Sequence, residues 1–327
     1  MSNAAEVVGN ERAEPGRMKA LRAHRRGGPE ELVFEDAPRP SPGRGDVLVR
    51  VGAAAITFDE LSWPEPWERR RVHATPVIPS HEFAGTVAEV GPDVNALRVG
   101  MRVFGLVPFE RDGAAAEFVV VPEGCCCPLP LGVPDCIAAA AALPALTAWE
   151  VIRDRLGLVE GQRLLVHGGT GSVGAFLIQF AHREGVPVTA TVRRESAVAR
   201  ARALGASEVL MTSEADPDVL GSFDCAVDAV GARTPEWLYR AVRRDGTLIT
   251  LQEPPDPRRA ARYGIQARFF VVSFDQSRLR ELAMLLDEAE VEVAVAASFP
   301  LSEGRTAYRG AGRDGRDGKT VLLVYPE

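Results

Sequence analysis

His81 and Glu82 stand side by side in the stretch IPSHEFAGTVAEVG, residues 78–91, where a strand-like run begins ahead of a glycine turn. An imidazole next to a carboxylate can ligate a metal or move a proton, so this pair is the first candidate for chemistry. Asp59 is a second acid candidate. It lies in ITFDELSWPEPWERR, which also carries Thr57, Phe58, Trp63 and Trp67. Cys125, Cys126 and Cys127 are consecutive, and successive residues of an extended segment face alternately up and down. Three such thiols cannot close round a tetrahedral ion, so burial at a strand end is expected for them. His167 is expected to pack as a strand-end residue against the glycines that follow it, and His73, in a proline-flanked loop, to lie at the surface.

A second chemical motif is RLLVHGGTGSVGAFLIQFA, in which Gly169, Gly171 and Gly174 form GxGxxG with Thr170, Ser172 and Val173 between them. An apolar strand precedes the loop and an amphipathic helix follows it, which is the context that a dinucleotide-binding turn requires. The first glycine permits the turn, the second admits a pyrophosphate close to the backbone, and the third lets helix pack on strand. The next strand ends in TVRRES, where an acidic residue would hold the ribose 2′-hydroxyl of NAD. Arg193 and Arg194 occupy that place and suit a 2′-phosphate, so NADPH is the expected cofactor.

The elements that must position these residues fall into two textures. From Lys19 to about Leu131, short β-branched runs such as DVLVRVGAAAI and AEFVVVP alternate with turns rich in Gly and Pro, as in a compact β unit. After Pro134 comes an Ala- and Leu-rich helical stretch in which Pro144 is expected to place a break. From Arg163 strand and helix alternate, which implies a parallel sheet with right-handed crossovers. The final GKTVLLVYPE returns to β texture and has to pair with the first β unit.

The 327 residues are 46% apolar and 25% charged, with a net charge of -7. That charge argues against nucleic acid or an anionic membrane as partner. Lysine occurs only at Lys19 and Lys319, so Schiff-base chemistry has few candidates, and arginine carries nearly all the positive charge. Five cysteines, three of them adjacent, do not make a disulfide framework and fit a cytoplasmic enzyme. Residues 1–17 are expected to form a flexible N-terminal tail.

The order of β unit, LPALTAW, VHGGTGSVG, α/β block and terminal GKTVLLV resembles the medium-chain dehydrogenase/reductase superfamily, in its zinc-independent quinone oxidoreductase and enoyl reductase branch. The resemblance implies an α/β fold: a GroES-like β-rich catalytic domain over residues 18–135 and 297–327, and a Rossmann domain with a doubly wound parallel sheet over 136–296. It implies a cleft between them, a small-molecule substrate, and a homo-oligomer, dimer or tetramer. Thr147, Phe270 and Val271 would lie near the nicotinamide, and Asp228 and Gly231 would end a strand on the cofactor side. In zinc enzymes of the superfamily the metal takes a Cys three residues before an Asp, the His of a His-Glu pair, and a later Cys or Asp. Here Ile56 precedes Asp59 by three and LPALTAW supplies no such ligand, so no metal is expected.

Without a Lewis acid, hydride must go to an acceptor that spreads charge onto oxygen, a conjugated enone or a quinone. Asp59, His81 and Thr57 are the catalytic candidates, and Phe58, Trp63 and Trp67 the candidate walls of a pocket for a flat substrate. A tailoring reductase of polyketide metabolism is the expected context. The alternatives are a trans-acting enoyl-thioester reductase, a non-catalytic NADPH-binding protein and a redox-neutral cyclase. The tyrosine that often assists in enoyl-thioester reductases is missing from the first 238 residues, Tyr239 being the first.

Overall fold

A computed structural model of the chain describes residues 16–64, 67, 76–216, 222–231, 233–311 and 315–325. Most of the expected N-terminal tail, and His73, therefore lie outside the described residues. Strands β1 (Arg17–Ala23) and β2 (Leu32–Pro38) form an antiparallel pair that packs on the first large sheet. That sheet contains β3 (Asp46–Ile56), β4 (Glu82–Val90), β5 (Arg102–Leu106), β6 (Phe118–Pro122) and β7 (Cys126–Pro128). Two strands from the far end of the chain, β14 (Val295–Pro300) and β15 (Lys319–Leu323), complete it. The terminal strand thus finds its host: β15 runs antiparallel to β3 with Thr320 opposite Ile56. This register brings Lys319 to the end of β3, beside Thr57.

The second sheet has six parallel strands: β8 (Leu164–His167), β9 (Val188–Val192), β10 (Glu208–Met211), β11 (Phe223–Asp228), β12 (Val242–Thr250) and β13 (Gln266–Phe269). Their spatial order is β10-β9-β8-β11-β12-β13, the doubly wound Rossmann order in which the chain reverses direction between β8 and β11. The carboxyl ends of β8 and β11 flank that switch point, where ligands of such sheets bind. The fold is thus α/β, with a GroES-like β-rich part and a Rossmann part.

Helix α1 (Asp135–Trp149) joins the two. Its alanines Ala138–Ala142 are all buried in one core that runs from Ala53, Ala55 and Ala84 of the first sheet to Leu164 and Val166 of the second. Small side chains let the backbone of α1 approach the first sheet on one side and the helix Ser172–Arg183 of the second part on the other, and a helix apolar on all sides is what such a position selects. The helix and its π-helical continuation, Glu150–Leu156, are long and apolar enough to cross a membrane, yet 78% of that apolar window is buried inside the protein. Pro144 does not break α1, contrary to the expectation from sequence. Leu143, just before it, donates its N–H to Glu82 Oε2 at 3.4 Å. A side chain from β4 thus supports the helix where proline interrupts its ladder.

Candidate active site

The glycine loop lies between β8 and helix α2 (Ser172–Arg183). A Cβ on Gly174 would sit 2.1 Å from the Gly168 carbonyl oxygen, and one on Gly169 would sit 2.7 Å from the Ala190 Cβ. Both positions are closed to any larger residue. Gly171 caps α2 without offering a side chain, so the first-turn N–H groups are left for an anion. Thr170 is buried behind the loop, while Ser172 and Val173 face a cavity. Asp228 ends β11 and its Oδ1 accepts from the N–H groups of Val230 and Gly231, at 3.0 and 3.2 Å. Its Oδ2 is buried with no hydrogen-bond partner among the described residues. The glycine cradle, the uncapped helix and this orphaned oxygen fit a nicotinamide dinucleotide. His167 closes the same edge, bonded through Nδ1 to Thr191 Oγ1 at 2.7 Å and edge-on to Trp237. Burial pushes its pKa below the usual imidazole range, against the pull of Asp228, and so favours the neutral ring.

Between the glycine loop and the first sheet lies a cavity of about 290 Å³. Trp63, Phe109, Phe270 and Val271 make its apolar walls, and Thr147 lies on the α1 side. Thr57 and Lys319 give it one polar end. Lys319 is buried, and its ammonium donates to Ile56 O at 3.2 Å, to Thr57 Oγ1 at 2.8 Å and to the Glu82 carboxylate. The Thr57 hydroxyl in turn donates to Glu82 Oε1 at 3.2 Å. Desolvation raises the Glu82 pKa, and the Lys319 charge offsets part of that rise.

His81 belongs to a neighbouring cluster. Its Nδ1 lies 3.0 Å from Glu60 Oε2, which also accepts from the Ser80 N–H at 2.9 Å, while Glu60 Oε1 accepts from the Tyr308 hydroxyl at 2.5 Å. Ser80 holds its N–H there at φ 71, a left-handed conformation that costs a non-glycine residue strain. The Nε2 of His81 is buried without a partner among the described residues, behind the rings of Trp63 and Phe109. A zinc ion does not fit these donors. Glu82 is taken by an ammonium, Glu60 accepts from the Thr57 and Ser80 N–H groups and the Tyr308 hydroxyl and meets His81 Nδ1, and a single imidazole nitrogen remains. No cluster of three His, Cys, Asp or Glu side chains among the described residues could hold a metal.

The structure brings Thr57, Trp63, Thr147, Ser172, Val173, Phe270 and Val271 to one cavity. It separates others. Asp59 is exposed, and its Oδ2 accepts from the Trp63 indole N–H at 3.3 Å, so the buried carboxylate beside His81 is its neighbour Glu60. Phe58 and Trp67 pack on the core of the first sheet and do not line the cavity. Arg193 is exposed, whereas Arg194 is ion-paired with Asp317 at 2.7 Å. Cys126 and Cys127 are buried at β7 and Cys125 is partly buried. Burial pushes the Cys127 thiol up to about 12 and the Cys125 thiol up to about 11. Sequence reasoning missed Glu60, Tyr308 and Lys319. Only Lys319 carried a signal, as one of two lysines in the chain.

Residues 43–131 match the alcohol dehydrogenase GroES-like domain family, and residues 204–322 match the zinc-binding dehydrogenase family. A mycocerosic acid synthase-like polyketide synthase of Mycobacterium tuberculosis is 29% identical over 90% of this chain. The chain spans 15% of that synthase's length. A quinone oxidoreductase of Pseudomonas aeruginosa is 29% identical over 91% of this chain and 97% of its own. Other relatives are named trans-enoyl reductase and probable quinone oxidoreductase. Among solved structures, a mycobacterial protein complexed with NADPH is 28% identical, with a TM-score of 0.80 over 94% of this chain and 100% of the other.

Proposed function

The chain belongs to the medium-chain dehydrogenase/reductase superfamily of oxidoreductases, and from that premise we propose an NADPH-dependent, zinc-independent reductase of a conjugated enone or quinone. The observation that carries this reading is the Lys319–Glu82 ion pair, which places an ammonium and the Thr57 hydroxyl at the end of the cavity. The relatives named quinone oxidoreductase and the NADPH complex support it.

The bound nicotinamide supplies a hydride. In an enone the hydride adds to the β-carbon, the C=C electron pair moves onto the carbonyl oxygen, and a proton then reaches the α-carbon. In a quinone the charge collects on one ring oxygen, which takes a proton directly. Thr57 is the group that meets this oxygen. Lys319 donates to Oγ1, which leaves the hydroxyl proton to choose between Glu82 at 3.2 Å and an acceptor in the cavity. As charge develops on the substrate oxygen, the second choice improves, which is the differential stabilisation that lowers a barrier. Trp63, Phe109 and Phe270 exclude water and stack on a flat substrate. Of the earlier acid candidates, Asp59 is exposed, and His81 stands behind Trp63 and Phe109.

Arg193 and Arg194 select NADPH in this proposal, and Gly169–Gly174, Asp228 and Gly231 hold it. A homo-oligomer in the cytoplasm and a tailoring role in polyketide metabolism belong to the same reading. The test is NADPH consumption by chelator-treated protein against a quinone and an enone of matched size. Saturated ketone from the enone establishes C=C reduction, and turnover of the quinone alone establishes a quinone reductase. Binding of NADPH with neither acceptor reduced overturns the proposal.

A further inference from the structure

Arg194 follows the end of β9, where the proposed cofactor would place its 2′-phosphate, and its guanidinium is already engaged. Its Nη2 lies 2.7 Å from Asp317 Oδ1, and both side chains are largely buried, at 28% and 17% exposure. Arg200 Nη1 stands 3.8 Å from Asp317 Oδ2, while its Nε pairs with Glu292 at 3.0 Å. The Nε of Arg194 is buried with no partner among the described residues.

Asp317 is fixed in this place. Gly318 follows it at φ +111, and a Cβ there would sit 2.2 Å from the Ala294 carbonyl oxygen. Only glycine can make that turn, and the turn delivers Asp317 to Arg194 from the segment that leads into β15. The side facing the adenosine end of the site thus carries a carboxylate next to the arginine that should attract a dianion.

We infer that Asp317 is a specificity-determining residue that opposes NADPH, holding Arg194 in an ion pair that the 2′-phosphate has to displace. The inference rests on the reading of Arg194 as a 2′-phosphate group. NADPH has to break one interaction and approach one like charge, and NADH meets neither cost because it lacks the phosphate. Asp317 therefore narrows the preference that Arg193 and Arg194 create and keeps NADH usable.

The experiment is a direct binding titration of NADPH and of NADH, with no acceptor present, on wild type, Asp317→Asn, Asp317→Ala and Arg194→Ala. Asp317→Asn keeps the shape and removes the charge. It is expected to tighten NADPH about tenfold at low salt and to leave NADH within about twofold, with the gain shrinking as salt rises. Asp317→Ala is expected to move in the same direction, which separates charge from any loss of fold. Weaker NADPH binding in both variants, or equal changes for the two cofactors, overturns the role given to Asp317. Arg194→Ala is expected to weaken NADPH alone. An equal loss for both cofactors there overturns the arginine reading, and the inference with it, whereas a selective loss with Asp317 variants unresponsive overturns the inference only.

Discussion

The phenol of Tyr308 reaches across 248 positions of sequence to place its hydroxyl 2.5 Å from Glu60 Oε1, inside a fully buried cluster that also contains Ser80 and His81. Burial and the adjoining carboxylate push the Tyr308 pKa well above the ordinary phenol value, so it remains a donor at any working pH. The bond ties the short helix Gly304–Tyr308, which follows β14, to the turn after β3. Tyr308→Phe removes the shorter of two donors to Glu60 Oε1 and leaves that buried oxygen the Thr57 N–H at 3.3 Å. It is expected to cost about 1–3 kcal/mol in denaturant unfolding, with NADPH affinity unchanged. No loss of stability would show that Glu60 does not depend on this bond.

The proposed role of Thr57 makes a sharper demand. Thr57→Val keeps the shape and removes the hydroxyl, and it is expected to lower kcat by about 100-fold with little change in NADPH binding. Thr57→Ser restores the donor and should recover most of the activity. Equal activity of the Val and Ser variants would remove the hydroxyl from the mechanism. The readout is steady-state turnover together with a cofactor titration.

The apolar wall gives a prediction about substrate rather than rate. Trp63 packs edge-on to Phe109 at 5.5 Å and is held by Asp59 through its indole N–H. Trp63→Ala is expected to raise KM for a flat aromatic acceptor about tenfold and to affect a small aliphatic enone less. Asp59→Asn keeps an acceptor for the indole and should leave kcat near wild type. A large kcat loss in Asp59→Asn would return Asp59 to the catalytic candidates.

Much of this architecture was legible in the chain. Strand and helix after Arg163 follow a local periodicity, and the glycine loop is a contiguous motif. The cavity's polar end is different in kind. Lys319 reaches Thr57 only because β15 returns antiparallel to β3 in one register, and no pattern in either segment fixes that register. Glu60 was lost to a one-residue ambiguity: Asp59 and Glu60 are adjacent acids at a short 3₁₀ turn, and the backbone there decides which one faces inward. Phe58 and Trp67 read as pocket aromatics by composition, but the same composition serves the core of the first sheet, where they lie. Pro144 was expected to break a helix that instead runs through it, with the neighbouring Leu143 N–H accepted by Glu82.

The Lys319–Glu82 pair contributes to the pH dependence of stability. The folded Glu82 pKa lies above its ordinary value because burial outweighs the help of Lys319. For a carboxyl raised on folding, the folded state binds the extra proton, so its stabilising effect is complete below the ordinary carboxylate pKa. That effect is lost as pH rises through the raised folded value. Lys319→Met removes the opposite charge that holds the Glu82 pKa down, so that pKa should climb further and the loss should extend to higher pH. The variant is expected to fall about 3–5 kcal/mol below wild type at neutral pH, the cost of leaving one member of a buried pair uncompensated. The gap should narrow on acidification, as Glu82 takes up its proton. Adding Glu82→Gln to Lys319→Met removes the uncompensated charge and should restore much of the stability at neutral pH. Denaturant unfolding of wild type, the single variant and the double variant across the acid and neutral range checks both signs. A gap that stayed constant with pH would mean that Lys319 acts through its packing and its bonds to Ile56 and Thr57, and not through the charge of Glu82.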